Sequence, residues 1–514
     1  MADGLTDRGS IVCIGFMGAG KTTAARSAAH ALGTTAVDVD RRIEERAGKP
    51  IERIFAEDGE AAFRVAEEQI TLELLSSPVQ AQVLSLGGGA VGSDAIRAAL
   101  AEHRVIWIDV DLDTAWERVE GTGRPLANNR ADFSRLYAER EPLYAALADA
   151  TVPTGRSMDM EQVLRALQDM PAGAEMLWAT SASGDYGAYI GAGLIGADRF
   201  WPRAVTGRRF LVTDGRVGGL YGDLLEPLEG RVSVMPGEQS KTVAHAEIVW
   251  TELARAGMTR QDLVVALGGG VVGDLAGFCA ATFQRGVRYV QVPTTLVAQV
   301  DSAYGGKTGV DLAEAKNYVG AYHQPAAVLA DTEMLGSLPP AELAAGYAEV
   351  VKTALIAGGE LWERVRSGVA PDDRELIVAC ARTKLRIVAK DERDAGLRQV
   401  LNLGHTVAHA IETATGYARY RHGEAVGLGL LAALRLSESD ALRAEVYDLL
   451  RHQGLPTVLD GTDADAVVMA TARDKKRIGE GPVPFVLLET PGDPRPGCVV
   501  AHRDLIAAVR ELAP

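Results

Sequence analysis

The chain has 514 residues, room for roughly three or four domains, and its 47% hydrophobic and 24% charged content is that of a soluble globular protein. The net charge of −16 excludes a general nucleic-acid or anionic-membrane surface, which it would repel, while local cation clusters can still hold small anions. Four cysteines at 13, 279, 380 and 498, with no close pair and no metal-ligand spacing, argue for a reducing cytosol and against a disulfide framework. The polar start MADGLTDRGS lacks the apolar core of a signal peptide. The longest apolar run, AVGLGLLAAL, is far short of the ~20 residues a membrane span needs. A soluble cytoplasmic protein is expected.

In chain order, short β-branched runs alternate with Ala/Leu/Glu-rich helical stretches: IVCIGF, VLSLGGG and VIWIDVD, then RFLVTDG, LVVALGGG and YVQVPTT. Continuous apolar strands each followed by a helix predict parallel sheets covered on both faces. The pattern breaks near residue 170, where a Gly/Ala/Ser-rich stretch suits a connector with a hairpin in its middle. Beyond about residue 340 helices dominate, apart from PVPFVLL. The expected order is an α/β unit over 1–170, a linker over 171–178, a second α/β unit over 179–338 and a mostly helical unit over 339–514.

The first motif is IVCIGFMGAGKTTAARSAAHAL, a strand, a glycine-rich turn and a helix. Gly15-x4-Gly20-Lys21-Thr22 matches the P-loop pattern in its proper context. Backbone N–H groups from Gly15 through Gly18, Ala19 and Gly20 to Thr23 wrap phosphates, Lys21 meets the β/γ oxygens and the Thr22 hydroxyl helps hold Mg²⁺. Downstream, Asp38 and Asp40 alternate, so that one can serve the metal and the other the acceptor. Arg64, the Gly87–Gly88–Gly89 turn, Arg124 in GTGRPLANNRADF and Arg140 in AEREPLY follow.

As an ordered set behind a P-loop these residues resemble shikimate kinase, over 10–168. The resemblance implies that Asp40, Arg64, Gly87–Gly89 and Arg140 bind shikimate. It also implies that Asp40 takes or orients the proton of the attacking hydroxyl and that Asp38 supports Mg²⁺ through water. Arg124 would sit on a lid that brings a cation to the transferring phosphoryl group. Arg156, near VPTGR, would border the adenine.

The second glycine turn, in DLVVALGGGVVGDLAGFCAATFQRG, is not the G-x-G-x-x-G fingerprint, yet it opens a helix and allows close approach of a pyrophosphate. MPGEQSK, QVPTTLVAQVDSAYGGKTGVDLAEAKNYVGAYHQP, LPPAELAAGYAEVVKTALI, KDERDAGLRQVLNLGHTVAHAIE and RHGEAVGLG follow in order. Together they closely resemble 3-dehydroquinate synthase over about 180–500. That resemblance implies NAD⁺ and a divalent metal, zinc or cobalt, acting on a seven-carbon sugar phosphate. NAD would be held by Asp214, Glu238, Lys241, Gly269, Gly270, Asp274, Thr294, Thr295, Lys316 and Ser337. Asp301, Lys307, Asn317, Lys352, Lys384, Arg398, Asn402, Lys475 and Lys476 would line the substrate pocket, whose cations fit a substrate carrying a carboxylate and a phosphate. Arg285 would reach a neighbouring subunit, implying a homodimer. Family members often carry Glu at Asp394, Thr at Ser337 and a polar residue at Ala345; Asp394 remains a candidate catalytic carboxylate.

His405 and His409 are spaced i, i+4, which by itself lets both reach one zinc. The resemblance splits them: Glu349, His405 and His422 become the zinc ligands and His409 is left to move a proton. The expectation is thus an α/β P-loop kinase fused to a dehydroquinate synthase-like unit, a bifunctional enzyme of the shikimate pathway acting on small molecules and not on nucleic acid or membrane. The alternatives are another sugar-phosphate cyclase in the C-terminal half, or a non-catalytic ATP-binding module in the N-terminal half. Lys384 and Arg398, a carboxylate-binding pair, argue against the first. The acceptor set Asp40, Arg64, Arg124 and Arg140 argues against the second.

Overall fold

The computed structural model describes residues 9–77, 82–122, 126, 129–155, 159–196, 199–312, 315–471 and 483–513. Arg124, Arg156, Lys475 and Lys476 lie outside the described residues. The chain folds as two compact units, the first running to Ala179 and the second from Gly207 to the end, with 180–206 divided between them.

In the first unit, β1 (Ile11–Ile14), β2 (Ala36–Asp38), β3 (Val83–Ser85), β4 (Arg104–Asp109), β5 (Ala150–Pro153) and β6 (Glu175–Ala179) form a sheet in the order 2-3-1-4-5-6. Every pairing among them is parallel. The strands β1, β3 and β4 are buried along their whole length, so they read as unbroken apolar runs rather than alternating ones. Helix Lys21–Leu32 packs an alanine stripe (Ala24, Ala25, Ala28, Ala29) inward and ends at Gly33 in the left-handed region. Crossovers of this kind leave the carboxyl ends of β1, β2 and β3 side by side, where an open α/β sheet binds ligands. The expected linker over 171–178 is corrected here: Glu175–Ala179 is a fully buried strand, because EMLWA pairs with β5.

The second unit begins with part of β7 (Tyr186–Gly191). It continues with β8 (Arg209–Asp214), β9 (Gly230–Val234), β10 (Leu263–Gly268), β11 (Arg288–Pro293) and β14 (Ala327–Asp331), ordered 14-11-10-8-9 and again parallel. β12 (Lys307–Leu312) and β13 (Ala315–Tyr322) form a separate antiparallel pair packed on helix Gly270–Thr282. Helices follow from Pro340 onward, with one late two-stranded ribbon, β15 (Phe485–Leu488) and β16 (Pro494–Cys498). Cys13, Cys279 and Cys380 are buried, and burial pushes the Cys13 thiol up to about 12, so these thiols are packing residues. No helix among the described residues is long and apolar enough to cross a membrane.

Candidate active sites

In the first unit the glycine turn leaves β1 with Gly15, Gly18 and Gly20 all at positive φ (144°, 79° and 92°). A β-carbon on Gly15 would collide with the Ile108 carbonyl, so the turn needs glycine both for its torsion and for its closeness to β4. Helix Lys21–Leu32 then starts with no side-chain cap, leaving its first N–H groups aimed out of the turn. Lys21 Nζ donates to the Phe16 carbonyl at 3.0 Å, which folds the ammonium back over the loop. Thr22 Oγ1 donates to Asp38 Oδ2 at 2.7 Å, placing hydroxyl and carboxylate side by side as a magnesium site requires. Ala19 is buried beneath the loop, whereas Thr23 is exposed on the helix.

The acceptor side is assembled from three elements. Asp40 comes from helix Val39–Ala47, Arg64 from helix Gly59–Leu75 and the glycines from the end of β3. A β-carbon at Gly87 would press against Asp40 Oδ1 at 2.8 Å, and one at Gly89 would collide with the Arg64 guanidinium. Tyr144, one turn beyond Arg140, donates its hydroxyl to the Gly88 carbonyl at 2.5 Å and so ties the glycine floor to helix Arg130–Leu147. Arg140 lies over the Phe16 ring, 6.0 Å from its centroid.

Glu67 belongs to this group and was not singled out from the sequence. It is 2% exposed, and its Oε2 accepts from Arg64 at 2.6 Å. Burial raises its pKa, against the lowering pull of Arg64. The i, i+3 spacing from Arg64 was the available signal. Arg118 is a second omission: its guanidinium donates to the Gly18 carbonyl at 2.9 Å and to Thr154 Oγ1 at 2.8 Å, beside the phosphate turn.

In the second unit, Glu349, His405 and His422 bring their ligand atoms within 4.8 Å of one another, the set of this kind found among the described residues. Glu349 Oε1 lies 3.6 Å from His405 Nε2 and 3.3 Å from His422 Nε2. The ring nitrogens facing away are held as well. His405 Nδ1 meets the Leu403 carbonyl at 3.2 Å, and His422 Nδ1 meets Glu412 Oε1 at 3.3 Å. Those outer contacts turn both Nε2 atoms toward Glu349, the arrangement metal-binding imidazoles use.

Acids, imidazoles and a lysine are tightly coupled at this point. Burial alone would raise the Glu349 pKa, but Lys352 and the two histidines hold it down to about 2. Burial would lower that of His422, yet Glu349 and Glu412 lift it to about 10. One acid and two imidazoles, oriented from behind, fit a three-ligand catalytic metal. The i, i+4 pair is thereby divided: His405 joins the ligand set, while the His409 ring stands 5.5 Å from that of His405 and 6.2 Å from that of His422, centroid to centroid.

Beside the ligands runs a buried ion ladder. Lys352 Nζ bridges Glu349 Oε2 at 2.6 Å and Asp301 Oδ2 at 2.9 Å, and Lys384 pairs with Asp301 from the other side. Asp301 sits in the π-helical turn Ala298–Ser302; burial raises its pKa, and the two lysines overcome that and hold it well below the usual range. Arg398, 1% exposed, donates to the Gly305 and Glu392 carbonyls. Lys307 pairs with Asp394, whose backbone is left-handed (φ 62°). Aspartate tolerates that torsion well among non-glycine residues, which gives the shorter carboxylate a local reason. Asn402 ends the turn Leu397–Asn402, half-buried.

The residues that the resemblance assigns to the dinucleotide include several at strand ends. Asp214 closes β8 and caps helix Gly215–Tyr221, accepting from Arg216 N and Val217 N at 2.9 Å. Gly269 and Gly270 lead from β10 into helix Gly270–Thr282, and a β-carbon at Gly269 would meet Thr295 at 2.8 Å. Thr294 N donates to the Gly268 carbonyl at 3.0 Å. Lys241 Nζ pairs with Asp274 at 2.5 Å; burial lowers its pKa, but Asp274 and Glu238 raise it further. Lys316 Nζ lies 3.3 Å from Glu238 Oε1, and Asn317 N donates to Asp311 at 2.7 Å. Ser337 Oγ is turned back onto the Met334 carbonyl, at 3.1 Å. Arg285 is exposed, at φ 70°, at the end of the turn Phe283–Arg285.

Residues 231–345 and 346–477 match the models of the N-terminal and C-terminal parts of 3-dehydroquinate synthase. Over 334 residues the chain is 46% identical to the 3-dehydroquinate synthase of Symbiobacterium thermophilum, covering 60% of this chain and 92% of that protein. It belongs to the 3-dehydroquinate synthase family. The corresponding enzyme of Caulobacter vibrioides is 43% identical over 338 residues, covering 60% of this chain and 90% of that one.

Residues 17–171 match the shikimate kinase model, so a shikimate kinase unit is fused ahead of the synthase unit. The chain is a bifunctional enzyme of the shikimate pathway, joining a kinase to a lyase. Among solved structures, the synthase unit is similar to 2-deoxy-scyllo-inosose synthase, crystallised with carbaglucose-6-phosphate, NAD⁺ and Co²⁺ (25% identity, TM-score 0.58, 65% of this chain and 99% of that one). It is likewise similar to the 2-epi-5-epi-valiolone synthase of Streptomyces hygroscopicus subsp. jinggangensis, with NAD⁺ and Zn²⁺ bound (26%, TM-score 0.59, 65% and 99%). Glu412, whose carboxylate orients His422 in the synthase unit, went unassigned in the sequence although it ends the stretch LNLGHTVAHAIE.

Proposed function

We propose that the kinase unit phosphorylates the 3-hydroxyl of shikimate from Mg²⁺-bound ATP, and that the synthase unit converts 3-deoxy-D-arabino-heptulosonate 7-phosphate to 3-dehydroquinate and phosphate with NAD⁺ and zinc or cobalt. In the kinase unit the glycine turn and Lys21 cradle the phosphates, and Thr22 with Asp38 serves the magnesium ion. Arg64 and Arg140 anchor the acceptor carboxylate over Gly87–Gly89, Asp40 takes the hydroxyl proton, and Arg124 closes on the phosphoryl group. The single supporting observation is that Asp40, Arg64 and the glycine floor, far apart in the chain, meet beside the P-loop.

In the synthase unit Glu349, His405 and His422 would hold the metal, and the residues from Asp214 to Lys316 the dinucleotide. When bound, the dinucleotide removes and later returns a hydride while the metal acidifies the substrate hydroxyls. The protein's own work is to hold, dry and move protons. Lys384 and Arg398 bind the carboxylate; Lys307, Asn317, Asn402, Lys475 and Lys476, with Arg285 from a neighbouring subunit, bind the phosphate and hydroxyls. His409 and Asp394 pass protons to and from the substrate. The convergence of the ligand set with Lys352, Asp301 and Lys384 supports this reading.

Two assays on the intact chain test it. Phosphate release is measured with the heptulosonate phosphate and with sedoheptulose 7-phosphate, before and after chelation. Release from the first alone, abolished by chelation and restored by Zn²⁺, is expected; turnover of the second would mark a different cyclase. ATP consumption should rise on adding shikimate and follow Mg²⁺; no stimulation would leave an ATP-binding module without turnover.

A further inference from the structure

Glu412 stands between the two halves of the synthase site. Its Oε1 faces His422 Nδ1 at 3.3 Å and Lys316 Nζ at 3.1 Å. The same ammonium lies 3.3 Å from Glu238 Oε1 and 4.8 Å from the centre of the Tyr417 ring, and His422 Nε2 faces Glu349 Oε1 at 3.3 Å. An unbroken line of charged contacts thus runs from Glu238, among the dinucleotide residues, through Lys316, Glu412 and His422 to Glu349, among the metal ligands. The Glu412 side chain is 2% exposed, so its carboxylate relies on these protein contacts and not on water. Resting on the functional reading above, we propose that Glu412 is a positioning residue that couples cation binding at Glu349, His405 and His422 to dinucleotide binding beside Glu238, with Lys316 as the charge they share.

The sign follows from one oxygen serving two donors. A divalent cation held by Glu349, His405 and His422 would add positive charge at this point while the His422 Nδ1 stays directed at Glu412. The same positive charge repels the Lys316 ammonium. Lys316 then leans to Glu238 and to the anionic pyrophosphate of a dinucleotide. Cation and dinucleotide therefore tighten each other, and linkage requires the two enhancements to be equal.

The experiment uses the full chain stripped of metal. The NAD⁺ dissociation constant is measured by calorimetry without and with saturating Zn²⁺, and Co²⁺ affinity by its visible absorption without and with NAD⁺. A tightening of at least about fivefold, equal in both directions, is expected. Glu412→Gln and Lys316→Met should each bring the ratio of affinities to within about twofold of one, while Glu412→Asp retains part of it. If Glu412→Gln loses the near-ultraviolet dichroism of the native fold, the native protein and Lys316→Met decide. NAD⁺ affinity indifferent to zinc in the native protein, or a ratio undiminished in the variants that fold, overturns the coupling alone. Failure of either NAD⁺ or a divalent metal to bind at all overturns the coupling and the functional reading together.

Discussion

Gly423 lies so close to Ala345 that a β-carbon on the glycine would collide with the alanine's carbonyl group. The contact joins helix Pro340–Ala357, which carries Glu349, to helix His422–Leu436, which opens with His422. Gly429 makes the same kind of approach to Gly404, just ahead of His405. Backbone-to-backbone closeness at two points sets the spacing of all three donors.

Gly423→Ala is therefore expected to force the helices apart, at a cost of about 1–3 kcal/mol in stability. Zinc affinity of the synthase unit should fall at least about tenfold, with Glu349 and His422 no longer in reach of one ion. Kinase activity should be unaffected. Calorimetric zinc titration checks this, and unchanged zinc affinity would show that the spacing is not set at Gly423.

Gly89 performs a related service in the kinase unit, because any side chain there would displace the Arg64 guanidinium. Gly89→Ala should raise the KM for shikimate by about tenfold or more, the loss of one charge-assisted contact, and leave the KM for ATP near its native value. Steady-state kinetics with each substrate varied in turn separates the two. A change confined to ATP would place Arg64 outside the acceptor pocket.

Asp262, at the start of β10, accepts a forked pair from Arg208 at 2.9 and 2.8 Å and two further bonds from Thr259. Arg208 is the chief reason that its pKa falls from 3.8 to about 2. A carboxylate depressed on folding stabilises the native state above its unfolded pKa, and that contribution is lost as the pH falls toward the folded value. With the guanidinium half open to solvent, about 1–2 kcal/mol is expected at neutral pH. The urea midpoints of native protein and Asp262→Asn should differ equally at pH 7 and pH 5 and converge below pH 4. A difference constant down to pH 3 would assign the effect to lost packing.

Arg285 is exposed on a left-handed turn, in keeping with a role across a subunit boundary. An inactive Arg285→Ala protein mixed and reassembled with an inactive His405→Ala protein should recover about a quarter of native synthase activity, since half of the random pairs are mixed and each holds one intact site. Recovery indistinguishable from zero would place Arg285 in its own subunit's site or outside the chemistry.

The phosphate turn was legible in the sequence because everything it needs lies in one short stretch, from Ile11 to Thr22: a buried strand, glycines for positive φ and a helix start. The alternation of apolar runs and helices likewise announced two parallel sheets, since strands covered on both faces have no polar side to show. Residues 175–178 were misread as part of a linker because their strand is short and framed by small residues; pairing with β5 made it a strand, and pairing is a property of the partner. The division of His405 from His409 came from resemblance, and helical spacing by itself favoured joining them. Tertiary packing separates them, because Glu349 and His422 arrive from other helices and only the His405 ring nitrogen shares their meeting point. Glu67 and Glu412 stayed hidden for the same reason. A buried carboxylate draws its meaning from the cations and imidazoles that surround it, and those come from distant parts of the chain that only the folded backbone brings within hydrogen-bonding range.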